Sequence, residues 1–284
     1  MGLLLFQNEA CLVINKLPGE DSETAGAGFA GSDGLRGGVT RDKLSAPGGK
    51  FPAPVHRLDT PVSGCLLLAR NKKAAAFLGA AFAAGNAIIS PDPHASSAES
   101  AAVNEADPLD PRASAAESAG ERNAPEPAEK HYWAIVEKPA AEIPAGAELL
   151  HWLVTDKKLN KSFAYNGNED KPPEKAKKAR LRYRICGEGE RYLFLEIDLL
   201  TGRHHQIRAQ LAAMGLHVKG DLKYGARRSE KGGGIRLHAY SLAFPDPVNP
   251  GERVLVKALP PLLDPLWTAF CIEYSGKYGI MPLV

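Results

Sequence analysis

A chain of 284 residues with 44% hydrophobic and 24% charged residues can bury the core of one large or two modest domains, which excludes a disordered or fibrous protein. Its four cysteines, Cys11, Cys65, Cys186 and Cys271, lie far apart with no CxxC pair, so neither a disulfide framework nor a zinc ribbon is expected, and a reducing cytoplasm fits best. The net charge of +2 is unevenly spread: residues 91–129 carry nine acidic residues against Arg112 and Arg122, a local −7 that leaves +9 on the remainder, compatible with a nucleic-acid partner.

The N-terminal MGLLLFQNEACLVINK has an apolar run too short for a signal-peptide core and lacks the basic residues that precede one. No later stretch approaches a membrane span. Phe6 stands where a myristoylated Gly2 would want Ser or Thr, so neither export nor anchoring is expected. Cys11–Asn15 reads as a strand. The Gly-rich residues 19–50 read as a long mobile loop, and GGK at 48–50 is no P-loop, because the first Gly of that motif is missing and Phe51 replaces its Ser or Thr.

HRLDTPVSG follows, directly before a strand, Gly64–Ala69. Asp59 there is open to two readings, a turn carboxylate bonded to backbone N–H groups or the centre of an active site. A helix is expected over Lys72–Ala84. Residues 91–129 are rich in Ala, Ser, Glu and Pro, and read as a disordered insertion. Beyond it, period-two patterning predicts strands at His131–Glu137, Leu149–Val154, Ala179–Cys186, Tyr192–Asp198 and His238–Phe244. His205–Met214 reads as a helix with Gly215 as its stop. Many strands with few helices, out of βαβ alternation, predict an α+β fold around a mainly antiparallel or mixed sheet.

Two features carry charge at definite places. In ARLRYRIC, Leu181, Tyr183 and Ile185 alternate with Arg180, Arg182 and Arg184, so one strand face is an arginine row, either solvated or in contact with phosphate. In TGRHHQIRAQLAAMGLHVKGDLKYG, Gly202 is placed to start a helix, with Arg203 and His204 at the positive end of its dipole and Gln206 and Arg208 on its first turn. Adjacent histidines point about 100° apart on a helix, and no carboxylate or Cys completes a ligand set, so no metal site is expected.

HRLDTPVSG, EKHYWAIVE at 129–137, LLTGRHHQIRAQLAAMGLHVKGDLKYG and LHAYSLAFPDP at 237–247 resemble, in order, the successive motifs of the RluA family of RNA pseudouridine synthases. ACLVINKLPG and VLVKALPP resemble the family's first and closing strands, so the likeness spans nearly the whole chain outside the two loop insertions. Departures are modest: Val62 and His204 replace a usual Thr and a usual Thr or Ser, and Lys-Leu-Pro-Gly varies from Lys-Pro-x-Gly.

The resemblance implies that Asp59 is the catalytic aspartate, that Tyr132 stacks on the target uracil, that Arg203 pairs with the aspartate, and that Arg57 helps hold RNA from which the base has been extruded. It implies an isomerase acting on uridines of ribosomal or transfer RNA with no cofactor and no metal. One catalytic domain is expected over residues 1–284, as a cytoplasmic monomer without an S4 domain. Two rivals remain at this level: a catalytically inactive RNA-binding homologue, and a hydrolase using Asp59 with His204 or His205.

Overall fold

Residues 2–25, 52–87, 125–168, 172–230, 233–261 and 264–278 are described by a computed structural model of the chain. Their strands join in one sheet: β1 (Leu3–Gln7), β2 (Cys11–Lys16), β3 (Ala53–Pro54), β4 (Ser63–Ala69), β5 (Glu129–Glu137), β6 (Gly146–Asp156), β7 (Lys161–Asn166), β8 (Lys177–Glu188), β9 (Tyr192–Leu199), β10 (Leu237–Pro245) and β11 (Arg253–Lys257). The order is β1-β2-β4-β10-β5-β9-β8-β6-β7, with β3 beside β4 and β11 beside β10. Neighbours run antiparallel except β4 and β10, which are parallel. With α1 (Ser22–Ala25), α2 (Lys72–Ala87), α3 (Gln206–Ala213) and α4 (Pro265–Tyr278), this is the expected α+β fold with a mainly antiparallel mixed sheet.

Side-chain alternation sorts the sheet into two faces. On β5, Tyr132, Ala134 and Val136 join a core with Leu58, Val62, Leu195, Ile197, Ile207 and Leu211, against which α3 lies. Trp133 and Ile135 point the other way, into an aromatic core closed by Trp267, Phe270 and Tyr274 of α4. The central strands β2 and β4 are buried along their whole length, which is why CLVIN and CLLLA read as near-continuous apolar runs. A third core, with Leu67, Phe244 and Leu78 of α2, covers their far side.

All seven strands read from the sequence are present, each within three residues of the expected ends. β11 coincides with VLVK, while β1, β3, β7, α1 and α4 carried no period clear enough to be read. The third helix begins at Gln206, one residue later than expected, so Gly202 does not start it and Arg203 and His204 lie before its first turn. It ends as expected: Gly215, at φ 73, donates its N–H to the Ala212 carbonyl while the Leu216 N–H reaches the Leu211 carbonyl.

The loop reading of residues 19–50 is corrected at its start, where Ser22–Ala25 form α1 and Ser22 is buried against the Leu58 backbone; the rest of it and the disorder reading of 91–124 lie outside the described residues. Residues 125–129 belong to the fold: Ala128 is buried and donates its N–H to Ala81 O, and Glu129 opens β5, which corrects the far boundary of the insertion. The arginine row is ion-paired. Glu148 of β6 accepts from Arg180 and Arg182, and Glu196 of β9 accepts from Arg184, all on the sheet face opposite Tyr132.

Candidate active site

Asp59 sits in a turn closed by its own carbonyl, which accepts from the Val62 N–H at 2.9 Å. Both flanks of the turn are tied down. Ser22 Oγ accepts the Leu58 N–H at 3.0 Å and donates to the Leu58 carbonyl at 2.8 Å. Ile235 N–H reaches Pro61 O at 3.0 Å. Beneath the turn lies Lys16, fully buried, whose three ammonium donors go to the carbonyls of Leu17, Glu20 and Thr60 at 2.9, 2.8 and 3.2 Å. Burial pulls its pKa down to about 8, opposed by the charges of Glu20, Asp59 and Asp21.

Gly64, two residues past Val62, lets the turn dock. Its φ is +118°, and a Cβ there would stand 2.3 Å from Ala239 O on the parallel strand β10. The neighbouring Ser63 Oγ donates to Nδ1 of the buried His238, whose Nε2 donates to Ala258 O, both at 2.9 Å. His56, beside Arg57, is structural as well: its Nε2 accepts the Leu67 N–H at 3.1 Å and its ring stacks on Phe82 at 4.8 Å.

The guanidinium on Asp59 is that of Arg208. Its Nη1 donates to Asp59 Oδ2 at 2.9 Å, while Nε and Nη2 make a bidentate pair with Asp221 at 2.6 and 2.8 Å. Burial disfavours the charge on Arg208, but the two aspartates outweigh it and its pKa is raised. The expected pairing of Arg203 with the aspartate is therefore corrected. Arg203 precedes α3, and its Nε donates to the Lys178 carbonyl at 3.1 Å. The physical reason is helix phase: Arg208 stands three residues before Leu211 on the inward face, whereas Arg203 lies outside the helix.

Tyr132 is buried on the same sheet face, and its pKa is pushed above the usual tyrosine range by burial and by the nearby charge of Asp59. Arg57 is exposed, with a 3.8 Å ion pair to the equally exposed Glu23. His205, Tyr224 and Asp221 complete the surroundings of the Asp59–Arg208 pair; of the three only His205 was weighed from the sequence, in the hydrolase reading, and Tyr224 and Asp221 were missed. An arginine on the inward face of HQIRAQL needs a buried acid, and Asp221 in KGDLKYG was the available signal. Among the described residues no group of three His, Cys, Asp or Glu could hold a metal ion, and no helix is long and apolar enough to cross a membrane.

The family model described as RNA pseudouridylate synthase matches residues 10–88 and 114–213, more than half of the chain. An uncharacterised RNA pseudouridine synthase of Zymomonas mobilis is 28% identical over 194 residues, covering 68% of this chain and 67% of that one. Ribosomal large subunit pseudouridine synthase C of Vibrio parahaemolyticus is 22% identical over 254 residues, 87% of this chain and 62% of the relative. The mitochondrial RNA pseudouridine synthase 4 of Arabidopsis thaliana is 27% identical over 230 residues, 78% of this chain but 40% of its own length. The alignments thus span from two fifths to two thirds of these relatives. In structure, the human RNA pseudouridylate synthase domain containing 1 superposes with a TM-score of 0.57 at 20% identity, covering 95% of this chain and 87% of that one, a likeness of fold.

Proposed function

The chain belongs to the RNA pseudouridylate synthase family, of the RluA type, and on that premise we propose that it isomerises specific uridines to pseudouridine in structured ribosomal or transfer RNA, with Asp59 as the catalytic carboxylate. The observation that carries the reading is the Asp59 carboxylate held on one oxygen by Arg208, itself fixed by Asp221, beside the buried Tyr132.

In this reaction the N1–C1′ bond of uridine breaks, the freed uracil turns, a C5–C1′ bond forms, the C5 proton leaves and N1 gains a proton. Mass is unchanged and no redox or hydrolytic step occurs, so protein side chains suffice. Asp59 attacks the sugar, adds to the base or removes a ribose proton. Arg208 sets positive charge against it throughout, and a planar guanidinium suits this post because it serves two carboxylates at once. Extruding the base costs a few kcal/mol, which stacking on Tyr132 and phosphate contacts of Arg57 and Arg203 offset. This chain supplies one catalytic domain, which we propose acts as a monomer in the cytoplasm.

Pseudouridine mapping across ribosomal and transfer RNA, in cells lacking the protein and rescued by wild type or by Asp59→Ala, tests this. Loss of one or more sites, restored by wild type alone, supports it. Full rescue by Asp59→Ala would instead favour a binding protein that keeps the fold without the chemistry.

A further inference from the structure

His205 occupies an unusual place. It is buried, it caps α3 with φ 51 and ψ 27, and no side-chain capping bond repays that left-handed backbone. Gly or Asn takes this conformation at less cost, so a histidine held there points to a use for its ring. The ring is fixed on three sides. It stacks on His204 at 3.9 Å, Nδ1 lies 3.0 Å from Tyr224 Oη, and Nε2 lies 3.7 Å from Asp59 Oδ2.

Tyr224 bears on the tautomer. Its oxygen accepts the Ser162 N–H at 2.9 Å, and its single hydroxyl hydrogen faces two acceptors, Nδ1 of His205 at 3.0 Å and the Ser162 carbonyl at 3.2 Å, the ring nitrogen being the nearer. A neutral imidazole accepting at Nδ1 carries its proton on Nε2, toward the carboxylate; the other tautomer would aim a lone pair at Oδ2. Charges facing the ring are those of Asp59, Arg208, His204 and Lys223, and burial outweighs the pull of Asp59, taking the ring's pKa down to about 4. The ring is therefore a neutral donor, and Arg208 remains the buried cation.

Arg208 and His205 both approach Oδ2 of Asp59. We propose that His205, oriented by Tyr224, is a positioning residue that holds Asp59 through Oδ2 together with Arg208, so that Oδ1 is the oxygen presented to the nucleotide. This rests on Asp59 as the acting carboxylate.

Two measurements on the full chain test it. In protein with 15N-labelled histidine, two-bond ring correlations report the tautomer directly, the His205 signal being assigned by its loss in His205→Asn. Expected is the neutral Nε2–H form at neutral pH, persisting to about pH 5, and a tautomer mixture in Tyr224→Phe. In parallel, tritium release from [5-3H]uridine-labelled bulk RNA of cells lacking the protein gives kcat and KM. His205→Asn, which tolerates the backbone, should lower kcat about 10- to 100-fold with KM within about twofold and a melting temperature close to wild type. An Nδ1–H or doubly protonated ring at neutral pH overturns the proposal, as does an unchanged kcat in a folded His205→Asn. Absence of tritium release from wild type sinks the activity reading instead, and the tautomer then decides the geometry alone.

Discussion

Arg208 joins Asp59 to Asp221: one nitrogen reaches Asp59 Oδ2 at 2.9 Å while the other two grip both oxygens of Asp221 at 2.6 and 2.8 Å. An ammonium cannot reproduce that division, because it is a point donor without the planar fork. Arg208→Lys should lower kcat/KM by about 100-fold or more, close to the loss of a preorganised electrostatic contact. It should also cost about 3–5 kcal/mol of stability, because Asp221, 2% exposed in its side chain, loses its bidentate partner. Arg203→Ala should cost far less on both counts. Tritium release and urea unfolding of the two variants decide the ranking, and the reverse order would restore Arg203 as the partner of the aspartate.

Gly64 ties the Asp59 turn to the parallel strand. A Cβ at φ +118° would meet Ala239 O at 2.3 Å and Ala239 N at 2.6 Å, backbone atoms that cannot swing aside. Gly64→Ala should therefore destabilise by about 3 kcal/mol or more, part backbone strain and part separation of β4 from β10. Urea unfolding measures it. A change under about 1 kcal/mol would show that β4 and β10 separate easily.

Much of this was legible in the sequence, and the failures have physical causes. Strands with one buried face or two, such as β8 and β4, show their period or their apolar run directly. The edge strand β7, KSFAYN, leaves Phe163 and Tyr165 exposed, so its pattern inverts the usual one. Helix α4 packs aromatic residues on the sheet yet also exposes Ile272, which blurs its stripe. Asp59 and Tyr132 were picked out through motif company, and the structure brings the two near each other. The partner of Asp59 was missed because two arginines five residues apart share one motif, and only helix phase tells which is inside.

Buried neutral histidines make the fold sensitive to acid. His238 has no exposed surface, and burial lowers its pKa from 6.5 to about 4, with the Ala258 carbonyl opposing. A base whose folded pKa is depressed binds fewer protons folded than unfolded, so its contribution is fully present above 6.5 and is lost as pH falls toward 4. Between those limits this group alone should remove about 1.4 kcal/mol per pH unit. His56, lowered to about 3 by burial and by Lys130, and His205, lowered to about 4, act in the same direction. Urea unfolding followed from neutral pH into acid should show this slope, and His238→Gln should flatten it by about 1.4 kcal/mol per unit. An equal slope in the variant would mean that His238 is already charged in the folded state.

The two exposed sets of arginines should behave differently toward RNA. Arg57 lies two residues from Asp59, its side chain is 75% exposed, and its contact with Glu23 at 3.8 Å joins two solvated groups, a pair worth about 0–1 kcal/mol. Arg182 is 57% exposed, but Glu148 accepts from it at 2.8 Å, and it faces away from Tyr132 across the sheet. Arg57→Ala should weaken RNA binding severalfold and reduce the slope of log K against log salt by about 0.7–0.9, the loss of one phosphate contact. Arg182→Ala should leave both affinity and slope near wild type, because the arginine is engaged by Glu148, which it shares with Arg180, and stands on the wrong face. Titrations of bulk RNA at several salt concentrations separate the cases. A smaller slope for Arg182→Ala would instead mean that RNA wraps past the sheet edge onto the arginine row.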